Sequence, residues 1–397
     1  MLMNAADYRE SLRAYKPRVF VEGRLIDSVA DEPLLAPGVA GVGVTYDFAH
    51  VEAHRKLMTA VQRSSGKTVN RMVHVSDNSA DLLAKLEAVR LVCKTSGCAQ
   101  RYLTHDALNG IYQATRRADD AHGTDYSQRF QNYLHDVQDR DLTLGVAMTD
   151  AKGDRSLRPG KQANRDVYVH IKERRKDGIV IRGTKAIVTG APYMHEFLVM
   201  PCRTHTAEDA DFAVCCAVPV DAPGVTIVAK RAGRPGDSGA RFSSKYGQSV
   251  GVVMFDDVFV PHERVFMAGE VEEAGFLTTS YATHHRHSCI GARAGFGDLL
   301  IGAGAHMIEA NGLDADRHAH IREAMVDLIT IVESFYACGI AASVYCTQDQ
   351  TGSVMPDAVF SNIGKLLLAT KIYDMHKLAH YVSGGLVVAL PGPDEDH

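Results

Sequence analysis

The stretch Val167-Tyr168-Val169-His170-Ile171-Lys172-Glu173-Arg174-Arg175-Lys176-Asp177-Gly178-Ile179-Val180-Ile181 decides how this chain is built. Val167, Val169 and Ile171 alternate with polar residues, the period-two pattern of a strand with one buried face. Asp177-Gly178 supplies a hairpin turn, and Ile179-Val180-Ile181 begins the return strand. Further strands are expected at Phe197 to Met200, Phe212 to Val218, Val225 to Ala229 and Gly251 to Phe255. Strands that follow one another without intervening helices exclude a doubly wound sheet, so residues 139–270 are expected to form a β-barrel or sandwich domain.

On both sides the period is helical. Residues 1–138 read as an N-terminal helical domain, with Asn4 capping a helix that runs toward Tyr15 and an amphipathic helix carrying Leu82, Leu83, Leu86, Val89, Leu91 and Val92. Between them Arg18 to Ile26 reads as a small hairpin turning at Glu22-Gly23. Residues 271–397 are expected to hold three long helices, through Leu299 to Ile308, Ile321 to Tyr345 and Val359 to Val388, an incomplete C-terminal bundle ending in the polar tail Pro391 to His397. The fold class is α+β.

The chain has 397 residues, 46% hydrophobic and 23% charged, enough for a large core. Its net charge is −5 with Lys and Arg scattered, which gives no footprint for nucleic acid or a membrane surface. The N-terminus lacks the apolar core of a signal peptide, and no uninterrupted apolar run approaches the roughly 18 residues of a membrane span. A cytoplasmic location is expected. The eight cysteines form no CxxC pair and read as free, mostly buried thiols.

The stretch Ala147-Met148-Thr149-Asp150-Ala151-Lys152-Gly153-Asp154-Arg155 precedes the β segment. Its small residues let the backbone approach a flat ring, Thr149 can hydrogen-bond the ring's edge, and Lys152 and Arg155 can neutralise a pyrophosphate. The same residues also suit a solvated Asp/Lys/Gly turn.

Together with Arg182 to Gly190 and Phe255 to Pro261, this stretch resembles the flavoprotein family of 4-hydroxybutyryl-CoA dehydratase and 4-hydroxyphenylacetate 3-monooxygenase, the dehydratase branch being the nearer. The resemblance runs from Met1-Leu2-Met3 through Lys94-Thr95 and Gly123-Thr124-Asp125-Tyr126 to Ser383-Gly384-Gly385-Leu386. It implies the acyl-CoA dehydrogenase fold, with a C-terminal bundle truncated relative to family members that continue further. It also implies FAD, bound through Met148, Thr149, Thr189 and Gly190, with the two threonines at the isoalloxazine and Lys152 and Arg155 at the phosphates. Gly384 and Gly385 resemble a glycine pair that approaches the cofactor's adenosine-diphosphate part across a subunit boundary, which implies a homo-oligomer, a dimer or tetramer.

In the dehydratase branch three cysteines and a histidine hold a four-iron cluster. The resemblance places these positions on Cys98, Tyr102, His285 and Ala292. Tyr102 and Ala292 supply no thiolate, so Cys98 and His285 are read as remnants and the iron–sulfur cluster as absent. Cys93 and Cys289 are the substitutes to weigh, with Cys93 turned away if it shares a helix with Cys98. His284, His285 and His287 share no helical face, which argues against a mononuclear metal and leaves a polar face plus one functional imidazole.

His285 has two readings. An imidazole titrating near neutrality can take a proton α to a thioester carbonyl, and a lone histidine can equally be a satisfied interior residue. The Arg, Tyr and His that the hydroxylase branch uses for its phenol fall on Leu103, Ala107 and Val146. The resemblance therefore implies an FAD-dependent enzyme acting on a short acyl-CoA by α-proton removal and flavin-assisted isomerisation or desaturation. Two alternatives stand beside it: a reduced-flavin aromatic monooxygenase, and a degenerate flavin-binding protein without activity.

Overall fold

The computed structural model describes residues 2–98 and 100–385. Helix α1 (Ala5–Arg13) is capped by Asn4, whose side chain accepts from the backbone of Ala6 and Asp7. A hairpin of β1 (Val19–Val21) and β2 (Arg24–Ile26) follows, then α2 (Ala36–Asp47), α3 (Glu52–Met58), β3 (Thr59–Val61) and β4 (Thr68–Asn70). Three longer helices close this part: α4 (Ser79–Ser96), α5 (Tyr102–His122) and α6 (Tyr126–Asp139).

The β segment comprises β5 (Leu144–Ala147), β6 (His170–Arg174), β7 (Gly178–Thr189), β8 (Glu196–Val199), β9 (Val214–Pro219), β10 (Val225–Ala229), the short helix α7 (Arg241–Lys245), β11 (Val250–Pro261) and β12 (Val265–Ala268). One sheet has six strands in the order β2-β1-β10-β11-β7-β6, and the other has four in the order β12-β9-β8-β5. Phe197, Val199 and Cys216 of the smaller sheet meet Ile181, Ile227, Val253 and Phe255 of the larger in one buried cluster, so the unit is a sandwich. Val167 falls in a short 3₁₀ turn, and the strand begins three residues later, at His170. Phe212 likewise ends a 3₁₀ segment before β9.

The last part is α8 (Val271–Ala310), α9 (Ala319–Val344), the strand pair β13 (Thr347–Gln348) and β14 (Val354–Met355), and α10 (Ala358–Val382). Helix α8, 40 residues long, begins well before the expected Leu299 and packs against α4, α5, α9 and α10. The first and last parts thus share one helical assembly, and β1 joins the central sheet by pairing parallel to β10. Among the described residues one helix, α9, has the length and mean hydropathy (1.6) to cross a membrane, where none was expected. In this fold it lies against α8 and α10, with Leu328, Val332 and Phe335 in their shared core. Leu386 and the tail Pro391 to His397 lie outside the described residues.

Candidate active site

A cavity of about 470 Å³ opens where the helices meet the sandwich. Its β side is positioned by a buried lysine. Lys185 on β7 is 2% exposed; its ammonium lies 2.8 Å from Asp150 Oδ1 and donates at 2.8 Å to the carbonyls of Met148 and Met200. The Thr149 carbonyl accepts from the Ala186 backbone at 2.8 Å. These bonds tie the segment after β5 along β7 and bring Met148 and Thr149 to the cavity wall with Ile187 and Thr189.

Ile187 is held in an unusual conformation. The register between β7 and β11 shifts between the pairs Val188–Gly251 and Lys185–Val253, a β-bulge, and inside it Ile187 has φ +62° and is 73% exposed. A β-branched residue pays steric strain in that region, and bulges re-aim side chains. Here the bulge turns an apolar surface toward the cavity, with the hydroxyl-bearing Thr149 and Thr189 beside it.

The helical side is one face of α8: Tyr281, His285 and Cys289 recur at four-residue spacing, followed by Ala292, Arg293 and Phe296. The His285 ring stacks on Tyr281 (centroids 5.5 Å apart, 8°) and on Tyr102 of α5 (5.8 Å, 25°). Both its nitrogens are engaged: Nδ1 lies 3.4 Å from Asp106 Oδ2 and Nε2 lies 3.5 Å from Cys289 Sγ. Asp106, fully buried on α5, accepts from Ser288 Oγ at 2.6 Å, and Ser288 in turn accepts from Lys85 Nζ at 2.7 Å.

Charge follows from these contacts. Burial alone would push the Asp106 carboxyl up, but Lys85 and the hydrogen bonds from His105 and His285 hold it well below the usual carboxylate range. Burial lowers the Lys85 ammonium to about 8 against the pull of Asp106. Burial would also lower His285 and raise Cys289, yet each is reversed by its partner: the imidazole is held up to about 10 and the thiol down to about 7. Each partner thus favours the charged form of the other. Cys93 and Cys98, on the same cavity, are raised by burial.

The donor set does not fit an iron–sulfur cluster. Cys98 lies in the α4–α5 link beyond Gly97 (φ +70°), which ends α4, so Cys98 and Cys93 share no helix and both reach the cavity. Tyr102 and Ala292 line it without thiolates. The would-be substitute Cys289 touches His285, and the Tyr102 hydroxyl stands 4.0 Å from its sulfur, where ligands to separate irons would be held apart. His284 and His287 were expected on a polar face; instead both are fully buried, and burial keeps both neutral.

A flat ring system fits better. The exposed Ile187, with Met148 beside it, offers an apolar surface, and two threonines stand at hand for a polar edge. Of the residues expected at the cofactor, Met148, Thr149 and Thr189 line the cavity, and Gly190 (φ +70°) follows directly, where a Cβ would fall 2.0 Å from Met194 Cε. Lys152 and Arg155 are not on this wall; Arg155 is exposed on the following loop. Gly384 and Gly385 lie at the end of α10 beside Asn311, away from it. A second, open groove that shares Gln248 with the cavity carries Lys230, Arg231 and Arg234.

Sequence reasoning missed Asp106, Ser288 and Lys85. The signal was present on α5, where Thr104, His105, Asp106, Asn109 and Gln113 are polar yet buried, a face too polar for core and too regular for solvent.

Models of the N-terminal and C-terminal regions of 4-hydroxyphenylacetate 3-hydroxylase match residues 4–267 and 274–397. The 4-hydroxybutyryl-CoA dehydratase/vinylacetyl-CoA-Δ-isomerase of Clostridium aminobutyricum is 36% identical over 98% of this chain and 81% of its own length. Among solved structures, an oxygen-tolerant archaeal 4-hydroxybutyryl-CoA dehydratase from N. maritimus superposes with TM-score 0.95 at 33% identity, covering 100% of this chain and 80% of that one. The oxygenase component of 4-hydroxyphenylacetate 3-monooxygenase complexed with FAD shares the fold at TM-score 0.86 and 22% identity, covering 99% and 82%.

Proposed function

Because the chain belongs to the 4-hydroxyphenylacetate 3-hydroxylase family and shares its acyl-CoA dehydrogenase-like fold, we propose that it is an FAD-dependent enzyme acting on a short acyl-CoA, by α-proton removal and flavin-assisted isomerisation or desaturation. The observation that carries this reading is the proton-transfer apparatus on the cavity wall: His285 clamped between Asp106 and Cys289, with Tyr102 and Tyr281 stacked on it.

When bound, FAD supplies an acceptor for electrons released from the acyl chain. In this reading Thr149 and Thr189 hydrogen-bond the isoalloxazine edge, Met148 and Ile187 cover it, and Gly190 allows the backbone close. Lys152 and Arg155 serve the phosphates, and Gly384 and Gly385 approach the cofactor of a neighbouring subunit. The cations Arg293 and Lys365, also on the wall, would polarise the thioester carbonyl, without which an α-proton is too weakly acidic. The cluster of His285, Cys289 and Asp106 moves that proton. Full dehydration of a 4-hydroxyacyl-CoA is left out, because the unactivated β-hydrogen calls for a cluster whose ligands this chain lacks.

The monooxygenase reading stands second, favoured by that same broken ligand set. Against it, Leu103 and Val146 line the cavity and Ala107 sits in the core, so the three positions that match the hydroxylase branch's phenol-binding set carry no polar side chain. We further propose residues 1–138, 139–270 and 271–397 as the three parts of the chain, a cytoplasmic location, and a homodimer or homotetramer. Val326, Ile329, Ile340, Val344, Ile363 and Leu366 are apolar and exposed on α9 and α10, a surface suited to a second copy.

The test is anaerobic purification, an absorption spectrum with iron analysis, and addition of vinylacetyl-CoA. Flavin with below about one iron per chain, and double-bond migration to crotonyl-CoA, are expected. Flavin with inert acyl-CoA, but phenol-stimulated oxygen uptake once reduced, would move the monooxygenase to first place. Flavin inert to both would leave a binding protein.

A further inference from the structure

An imidazole can act as base only through a nitrogen lone pair, and His285 has neither nitrogen to spare. Nδ1 faces the Asp106 carboxylate at 3.4 Å and Nε2 faces Cys289 Sγ at 3.5 Å. The ring plane is covered as well, by Tyr281 and Tyr102. What the pair presents to the cavity with electrons available is sulfur. Cys289 lines the cavity one helical turn beyond His285, opposite the β wall that carries Thr149 and Thr189. The arrangement of nucleophilic thiol, imidazole and orienting carboxylate is that of an activated cysteine. The positions that would complete the family's cluster around His285 carry Tyr102 and Ala292, so the four-ligand set is broken.

Resting on the acyl-CoA reading above, we propose that Cys289 Sγ, and not a nitrogen of His285, is the atom that takes the α-proton, with the His285 ring as its charge partner and Asp106 as the group that holds that ring. In the step, the C–H bond breaks, the proton passes to sulfur, and its electron pair stays on the substrate as the enolate. His285 keeps its own proton throughout and, once the thiolate is neutralised, faces the new negative charge. Return of the proton from Cys289 to the far end of the delocalised system completes an isomerisation with no net redox change. Cys289 is then the catalytic residue and His285 and Asp106 are positioning residues.

The pairing rests on geometry: the His285 ring spans the gap between Cys289 Sγ and Asp106 Oδ2, one nitrogen facing each. Among the three thiols on the wall, Cys289 has an imidazole at its sulfur, whereas Cys98 meets the Gly247 carbonyl and the Gln100 amide.

The experiment uses flavin-loaded protein with butyryl-CoA in deuterium oxide, reading α-deuterium in the recovered thioester by mass. Cys289→Ser is expected to keep its flavin and its butyryl-CoA affinity while exchange falls by about 10²-fold or more. Cys338→Ser, on α9 away from the cavity, is expected to exchange at the wild-type rate. Equal exchange in Cys289→Ser and wild type would overturn this inference and leave the acyl-CoA reading standing. No exchange in flavin-loaded wild type would overturn both. A second readout does not depend on turnover: iodoacetamide labelling followed by peptide mass. Cys289 is expected to label ahead of Cys338, and His285→Gln to slow it about tenfold through loss of the thiolate. Undiminished labelling in His285→Gln would mean that the pair does not exist.

Discussion

At the scale of single residues, the strain at Ile187 gives the clearest test of the cofactor wall. Ile187→Gly removes roughly 1 kcal/mol or more of backbone strain but adds a comparable entropy to the unfolded chain, so thermal stability should barely change. The apolar face it gives the cavity disappears, and FAD affinity should fall about tenfold, the value of one buried aliphatic side chain. Unchanged affinity by flavin titration would remove Ile187 from the cofactor's surroundings. Thr149→Val with Arg155→Ala should lose most bound FAD and leave the fold intact; stoichiometric flavin in that double variant would break the proposed assignment of both. The site was half legible. Thr149 and His285 stand in compositionally odd stretches, whereas Asp106 is about 180 residues from His285 in sequence and became its partner only when α5 packed on α8.

At the scale of elements, α8 owes its central place to small residues. A Cβ at Gly295 would fall 2.3 Å from the Arg90 carbonyl and 2.8 Å from Cys93 Cβ, and one at Gly291 would fall 2.6 Å from the Leu86 carbonyl. Helices α4 and α8 therefore meet backbone to backbone at these glycines. Gly295→Ala must push them apart and should lower the urea midpoint by an amount equivalent to about 1–3 kcal/mol. It should also disturb the cavity wall at Cys93. Wild-type stability in this variant would mean that the helices slide freely. These glycines, with the histidines around them, blur the helical period between Val271 and Leu299. Strands β5 and β12 escaped notice for a related reason. Leu144-Gly145-Val146-Ala147 is buried on both faces and shows no alternation, whereas β7 and β10 announce themselves by β-branched runs and a turn.

At the scale of the whole molecule, buried neutral histidines set the acid limit. Burial lowers His74 and His205 to about 4, and His195 and His284 to about 3, from an ordinary 6.5. Below pH 6.5 the unfolded chain takes up protons that the folded one refuses. Stability is therefore full above that point and falls as pH drops toward 4, by up to about 1.4 kcal/mol per pH unit for each such residue. Urea midpoints measured from pH 7 to 4 should decline steeply. A flat profile would show that these rings find partners in solution. Lys85 adds a feature of the same sign at alkaline pH: its folded value near 8 lies below the ordinary 10.5, so its share of stability rises as pH climbs between the two.

The parallel pairing of Val19-Phe20-Val21 with Ile227-Val228-Ala229 also bears on how the protein is made. Strand β1 pairs at once with β2, but the edge that meets β10 has no partner until some two hundred residues later. At about 5–20 residues per second that is a wait of roughly 10–40 s with an open strand edge in view. The central sheet is thus finished from both directions in time, its oldest strand docking onto its newer neighbours. Removing residues 1–26 would spare the cavity's own lining and yet leave the β10 edge bare in the finished molecule, ready to pair with another chain.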